Sequence, residues 1–195
     1  MLEAARVRIE ESDIEERGLV ERVFDFLDNN GGLTEEFLYQ HQPVTIDPIP
    51  VYATNIQPIG RLDRAVAVQY NLAILCGPAI VVARKGYAGR LFVVRDQEFI
   101  VQEDAYAIVP KSAYIKNLNL DWFAAHYSEE FQGLRTSDDG IGDFPRVLLR
   151  SRSIIIPKLN VQERLADLYR RRDELMIAIN SAGERIQDRI LSHVQ

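Results

Sequence analysis

The side chains with the clearest chemical potential lie at the apex of one short segment, "GPAIVVARKGYAGRLFVV", from Gly77 to Val94. Two apolar runs flank a glycine-rich tip that carries Arg84, Lys85 and Arg90. A hairpin turn needs only Gly, Asn or Asp. Three cations there mark a surface that meets something negative. Gly86 and Gly89 let the backbone turn and approach a partner closely. Tyr87, between them, is expected to be held outward by the turn.

Other chemistry finds little support. His41, His126 and His193 show no H-x-x-x-H or H-E-x-x-H spacing, so each reads as a surface or internally satisfied histidine. "SDDGIGD" has acids but lacks the alternating ligands and terminal Glu of a calcium loop, and reads as a plain loop. "GYAG" lacks the fuller pattern of a phosphate-binding loop, and no G-K-[ST] is present. Glu103 and Asp104 are adjacent at the start of a strand, where neighbours point to opposite faces, so they form no acid/base pair. Cys76, the one cysteine, sits in apolar "AILCGPAI" and reads as a buried small hydrophobe rather than a nucleophile. No catalytic constellation, metal site or cofactor site is expected.

At 195 residues the chain allows one ordinary domain and an appended element. Hydrophobic residues make up 47% and charged residues 27%, enough for a real core. The strongest apolar stretch, Asn71 to Ala83, is broken by Gly77 and Pro78 and is too short for a bilayer. The charged start "MLEAARVRIEESDIEERG" lacks the apolar core of a secretory signal, and one cysteine forms no internal disulfide. These features predict a cytoplasmic protein with no membrane association. The formal charge of -6 opposes a free-standing nucleic-acid binder, because phosphate contacts need cations. The charge is nevertheless segregated. Residues 1–36 are acid-rich, whereas cations outnumber acids from Arg84 to Lys116, and Arg146, Arg150 and Arg152 cluster in "FPRVLLRSR".

These residues must be positioned by a mixed chain. Residues 1–28 read as helical, with Leu19, Val23, Phe24 and Leu27 at helical spacing. "LTEEFLYQH" reads as a short helix capped by Thr34. From Val51 to about Pro110, short runs rich in Val, Ile, Tyr and Phe read as strands, "RAVAVQYNLAILC" among them. A helix follows in Asn117 to Leu134, with Asp121 as a suitable cap, then a loop and the short strand "SIIIPKL". From Asn160 to the end the pattern predicts one long helix. Val161, Leu165, Leu168, Arg172, Leu175, Ile179, Ala182 and Ile186 alternate by four and three, the spacing of a coiled-coil seam. Such a helix is about 50 Å long at 1.5 Å per residue, longer than a domain of this size, so it is expected to protrude and to need a partner.

Four segments in order, "IPVYATNIQPIGRL" (Ile49 to Leu62), "GPAIVVARKGYAGRLFVV", "DAYAIVPK" (Asp104 to Lys111) and "IIIPKLNVQERLADLYRRRDEL" (Ile154 to Leu175), resemble the DNA specificity (S) subunits of type I restriction–modification systems. The likeness runs from about residue 18 to 190. Tyr87 replaces a small polar residue of the family's "RKGSAG", "EDAY" stands for "DHAY", and "NVQERLA" opens the helix in place of "LEEQKKIA". None of these departures removes a catalytic group, since the family's subunit has none.

The resemblance implies an α+β fold: a β-rich target recognition domain with flanking helices over residues 1–157, then a long spacer or dimerisation helix over 158–195. It implies a non-catalytic subunit that reads double-stranded DNA within a methyltransferase/endonuclease complex, beside methyltransferase subunits and a restriction or translocase subunit. One recognition domain and one spacer helix correspond to half of the usual subunit. A two-fold homodimer through Val161, Leu165, Leu168, Leu175, Ile179 and Ile186 would restore the pair and read a bipartite, palindromic target. On this reading Arg84, Lys85 and Arg90 contact phosphates or guanine edges, and Tyr87 stacks or hydrogen-bonds. Thr54 and Asn55 suit base edges and serve equally as turn residues. Lys111 and Arg95 are DNA contacts or solvated strand-end charges. A different reading is a protein-interaction adaptor with the same fold and no DNA binding, which the net negative charge favours.

Overall fold

A computed structural model describes residues 9–95, 97–136 and 142–192, the last seven as backbone only. In chain order the first elements are β1 (Ile14–Leu19), α1 (Val20–Val23), β2 (Phe24–Leu27), α2 (Glu35–Gln40), β3 (Ile49–Tyr52), β4 (Gly60–Leu62), α3 (Arg64–Gln69) and β5 (Leu75–Cys76). Then come β6 (Ala79–Ala83), β7 (Leu91–Val94), β8 (Glu98–Val101), β9 (Ala105–Pro110), α4 (Leu120–Gln132), α5 (Arg146–Arg150), β10 (Ser153–Pro157) and α6 (Leu159–Ser192). The fold is α+β with a long C-terminal helix, as expected.

Two four-stranded sheets form the centre, one ordered β2-β9-β6-β7 and one ordered β4-β3-β8-β5. The first is wholly antiparallel; in the second, β3 and β8 run parallel. Strand periodicity sorts side chains between layers. Ile80, Val82, Tyr106 and Ile108 face a helical layer that contains Trp122, Phe123, Tyr127 and Phe131 of α4. Their neighbours Ala79, Val81, Ala105 and Ala107 face the second sheet, against Tyr52, Phe99 and Val101. On the outer side of that sheet, Ile49, Val51, Leu62 and Ile100 pack under Leu38 of α2 and Ala67 of α3. A strand buried on both faces must be apolar throughout, which is why "AIVVA" has no polar residue. Each large side chain so buried contributes about 1.5–3 kcal/mol.

Three element assignments from sequence need correction. Residues 14–27, read as helix, form β1, one helical turn and β2. The helical spacing there arises because Val20, Val23 and Phe24 line a buried turn between strands, while β1 takes its hydrogen bonds from β10 and β2 takes its own from β9. Pairing with distant strands overrides local propensity. Residues 1–8 of the expected helix lie outside the described residues. "RAVAVQ", read as strand, is α3, in which Ala67 is buried and Val68 faces solvent. Arg146, the last residue of the expected loop, opens α5, which spans "RVLLR". Thr34 caps α2 as anticipated, accepting from the Phe37 amide at 3.1 Å. Asn119, not Asp121, caps α4 by accepting from the Trp122 amide at 3.0 Å. Asp121 instead pairs with Arg95. Cys76 is exposed, because β5 is a two-residue edge strand.

α6 is fastened at its start. Gln162 is fully buried and satisfied: its Oε1 accepts from the Asn119 amide at 2.8 Å, and its Nε2 donates to the Asn117 and Pro157 carbonyls at 2.9 and 2.7 Å. Val161, Leu165 and Tyr169 then join the core shared with α4. Among the described residues no helix is long and apolar enough to cross a membrane.

Candidate nucleic-acid interface

The tip of the β6–β7 hairpin is less free than its sequence implied. Ala88 is fully buried, and the turn folds back onto the C-terminal end of α4. Gly89 has φ +87°, and a Cβ there would lie 2.5 Å from the Phe131 carbonyl carbon and oxygen. Glycine is required at that position by conformation and by space. Gly86 has φ +66° but open surroundings, so only its conformation requires glycine. The Gly89 amide donates to the Ala83 carbonyl at 2.8 Å, the Arg90 amide to the Tyr87 carbonyl at 2.9 Å, and the Leu91 amide to Ser128 Oγ at 3.1 Å.

Two of the three cations have carboxylate partners within the chain. Arg84 Nε donates to Asp143 Oδ1 at 3.2 Å, and Lys85 Nζ lies 3.6 Å from Asp104 Oδ1. The backbone reinforces both: the Asp104 carbonyl accepts from the amides of Arg84 and Lys85, and the Phe144 amide donates to the Arg84 carbonyl. Arg90 differs. Its guanidinium lies 4.4 Å from the centre of the Tyr87 ring, and Nη1 donates to Asn55 Oδ1 at 3.0 Å. Tyr87 is 51% exposed, held outward as expected. Asn55 leaves the end of β3, so the loop after one sheet meets the hairpin of the other. Thr54 is half-buried beside it.

Beneath the tip, Tyr106 of β9 is fully buried, with its hydroxyl donating to the Phe144 carbonyl at 3.4 Å. Burial pushes that phenol well above its ordinary range. Arg146 lies 5.4 Å over the same ring, donates to the Leu27 carbonyl at 2.8 Å and pairs with Asp28 at 3.5 Å. It therefore ties α5 to the N-terminal strands.

The remaining sequence candidates are elsewhere. Lys111 follows the far end of β9, about 20 Å from the tip at strand rise, donating to the Glu21 carbonyl at 2.8 Å. On α6, Val161 and Leu165 are buried in the chain's own core and are not available to a partner. Leu168, Leu175 and Ile179 are 47%, 63% and 61% exposed. The side chain of Ile186 lies outside the described residues. His41 and His126 sit in aromatic clusters: His41 Nδ1 donates to the Phe37 carbonyl at 2.9 Å, which leaves Nε2 to accept from Tyr70. His126 Nδ1 is 2.8 Å from the Tyr169 hydroxyl. His193 and residues 137–141 of "SDDGIGD" lie outside the described residues. Asp104 and Asp143 were missed as partners of the tip cations, since no spacing rule links residues 59 apart, as Arg84 and Asp143 are.

No family model and no curated protein matches the chain by sequence. Solved structures do match. The type I restriction–modification S subunit from M. genitalium aligns over 90% of this chain and 43% of its own, with TM-score 0.59 and 15% identity. The HsdS subunit from Thermoanaerobacter tengcongensis aligns over 86% and 39%, with TM-score 0.60 and 13% identity. A chain from a structure of complex assembly and conformational transition in a type I R-M system aligns over 87% and 41%, with TM-score 0.59 and 11% identity. The chain has the fold of type I S subunits and spans about two fifths of the length of those it matches.

Proposed function

We propose that this chain is a DNA-reading, non-catalytic specificity component of a type I restriction–modification complex, with methyl transfer and cleavage carried out by other subunits. The observation that carries this reading is the hairpin tip: on an S-subunit fold, residues from both sheets converge to present Arg90, Tyr87 and Asn55 at one exposed point. Arg84 and Lys85 flank it and exchange Asp143 and Asp104 for phosphate when DNA arrives. Because two of three tip cations are internally paired, the isolated chain binds DNA weakly, and methyltransferase subunits raise the affinity by closing round the duplex. The exposed part of α6, from Leu168 through Leu175 and Ile179, pairs with the same face of a second copy, so that two recognition domains read a bipartite target.

The test is a salt titration of duplex binding by the chain and by its complex, with Arg84, Lys85 and Arg90 reversed to Glu. The expected result is a loss of binding and a salt slope smaller by about 0.9 for each phosphate contact removed. Unchanged affinity would favour the adaptor reading, which the pairing of Arg84 and Lys85 with carboxylates supports.

A further inference from the structure

Resting on that DNA-reading role, we infer that Arg90 is the base-reading side chain of the tip, that it reads guanine, and that Asn55 and Tyr87 are its positioning residues. The three tip cations are held by different means. Arg84 and Lys85 each have a carboxylate, so their charge is compensated before any ligand arrives. Arg90 is held by a neutral amide oxygen and by a ring face, and among the described residues it has no ion pair. Its orientation is restrained while its charge is undiminished.

The held atom defines the free edge. Nη1 donates to Asn55, which directs the Nε–Nη2 edge away from that contact. Two parallel N–H donors on one edge match a pair of adjacent acceptors. In the major groove of B-DNA, guanine presents such a pair in N7 and O6, whereas adenine places a donor beside its N7. The Tyr87 ring lies against the guanidinium and limits its rotation, which reduces the disorder lost when it docks. A phosphate also offers paired acceptors to such a fork, so the two contacts are told apart by whether loss of the fork relaxes one base position. Asn55 comes from the loop after β3 and Arg90 from the β6–β7 turn, so the relative placement of the two sheets sets the aim of the fork.

The experiment is selection from a randomised duplex pool at low salt, with the full chain assembled with its methyltransferase subunits as wild type, Arg90→Lys, Tyr87→Phe, Tyr87→Ala and Asn55→Ala, each checked for folding by circular dichroism. Wild type is expected to enrich a motif containing a G·C pair. Arg90→Lys, which keeps the charge and loses the fork, should relax that one position by roughly 5- to 150-fold and leave the others intact. Tyr87→Ala and Asn55→Ala should relax the same position partly, and Tyr87→Phe should retain it. If Arg90→Lys enriches the wild-type motif unchanged, Arg90 grips phosphate; the inference then fails and the DNA-reading role stands. If wild type enriches no sequence, the DNA-reading role fails and takes the inference with it.

Discussion

The two halves of α6 carry the same four-and-three spacing of apolar residues and meet opposite fates. Over its first three turns Val161, Leu165 and Tyr169 are buried against α4. Further along, Leu175, Met176, Ile177 and Ile179 lie in the open. The changeover falls at Arg172, which reaches back to Glu129 of α4 at 3.5 Å and lies 5.3 Å from the Tyr169 ring. The hairpin tip repeats the contrast on a smaller scale, with Arg84 and Lys85 paired to carboxylates and Arg90 without an ion pair among the described residues. In both places residues of one kind divide into those buried or ion-paired within the domain and those exposed or without an ion pair among the described residues. The division follows how far the body of the domain reaches along each element.

The largest effect expected is at the buried half of the helix. Leu165→Ala should cost about 2–5 kcal/mol, because it leaves a cavity among α4 and α6 side chains. Urea denaturation of the chain at high dilution measures it, and an unchanged midpoint would erase the distinction between the halves. Next is Gly89→Ala. The positive φ alone should cost about 1–3 kcal/mol, and the Phe131 backbone must also move. Gly86→Ala meets no such obstacle, so G89A should lower the melting temperature further than G86A.

The exposed half should respond in the reverse way. Leu175→Glu with Ile179→Glu should change the stability of the dilute chain by less than about 0.5 kcal/mol per site. The same pair should abolish self-association, read as solution mass against concentration. A dilute chain strongly destabilised by the pair would show that the distal helix folds back on its own domain. At the changeover itself, Arg172→Ala should cost about 0–1 kcal/mol, as exposed ion pairs do.

The smallest effect is confined to acid and to one loop. Asp63 is buried and accepts from the Thr45 hydroxyl and from the Val44 and Thr45 amides, the amides at 2.8 and 3.1 Å. The Thr45 hydroxyl first, then the Val44 amide, hold its carboxyl below the usual 3.8. A lowered value means the stabilisation is present above 3.8 and is lost as pH falls through the lower folded value. Hydrogen exchange at the Val44 and Thr45 amides should accelerate in that acid range, beyond the intrinsic pH trend, while Lys85 and Arg90 amides show no such step. In Asp63→Asn the step should be absent.

Local patterns were legible where local physics decides. Thr34 caps α2, the Val and Ile runs of β6 and β7 form a hairpin, and the C-terminal stretch forms the long helix α6. They misled where distant pairing decides, as in residues 14–27, whose strands find partners 80 or more residues away in β9 and β10. In α3 the β-branched Val66 and Val68 imitated a strand, but a helix lets Ala67 bury against the second sheet while Val68 faces solvent. The site divides likewise. Arg84, Lys85, Tyr87 and Arg90 stand out as cations and an aromatic on a glycine turn. That Asn55 meets Arg90 across 35 residues, and Asp143 meets Arg84 across 59, has no local signature.

By itself the sequence determined the elements whose causes are short-range: the glycine-bearing hairpin, the Thr34-capped helix and the long C-terminal helix. Only the tertiary structure decided which tip cations have carboxylate partners, which seam residues the core absorbs, and that Arg90 rests on Asn55 and Tyr87. Turns, caps and periodicity act over a few residues, whereas charge pairing and burial depend on the packing of two sheets and a helix from distant parts of the chain.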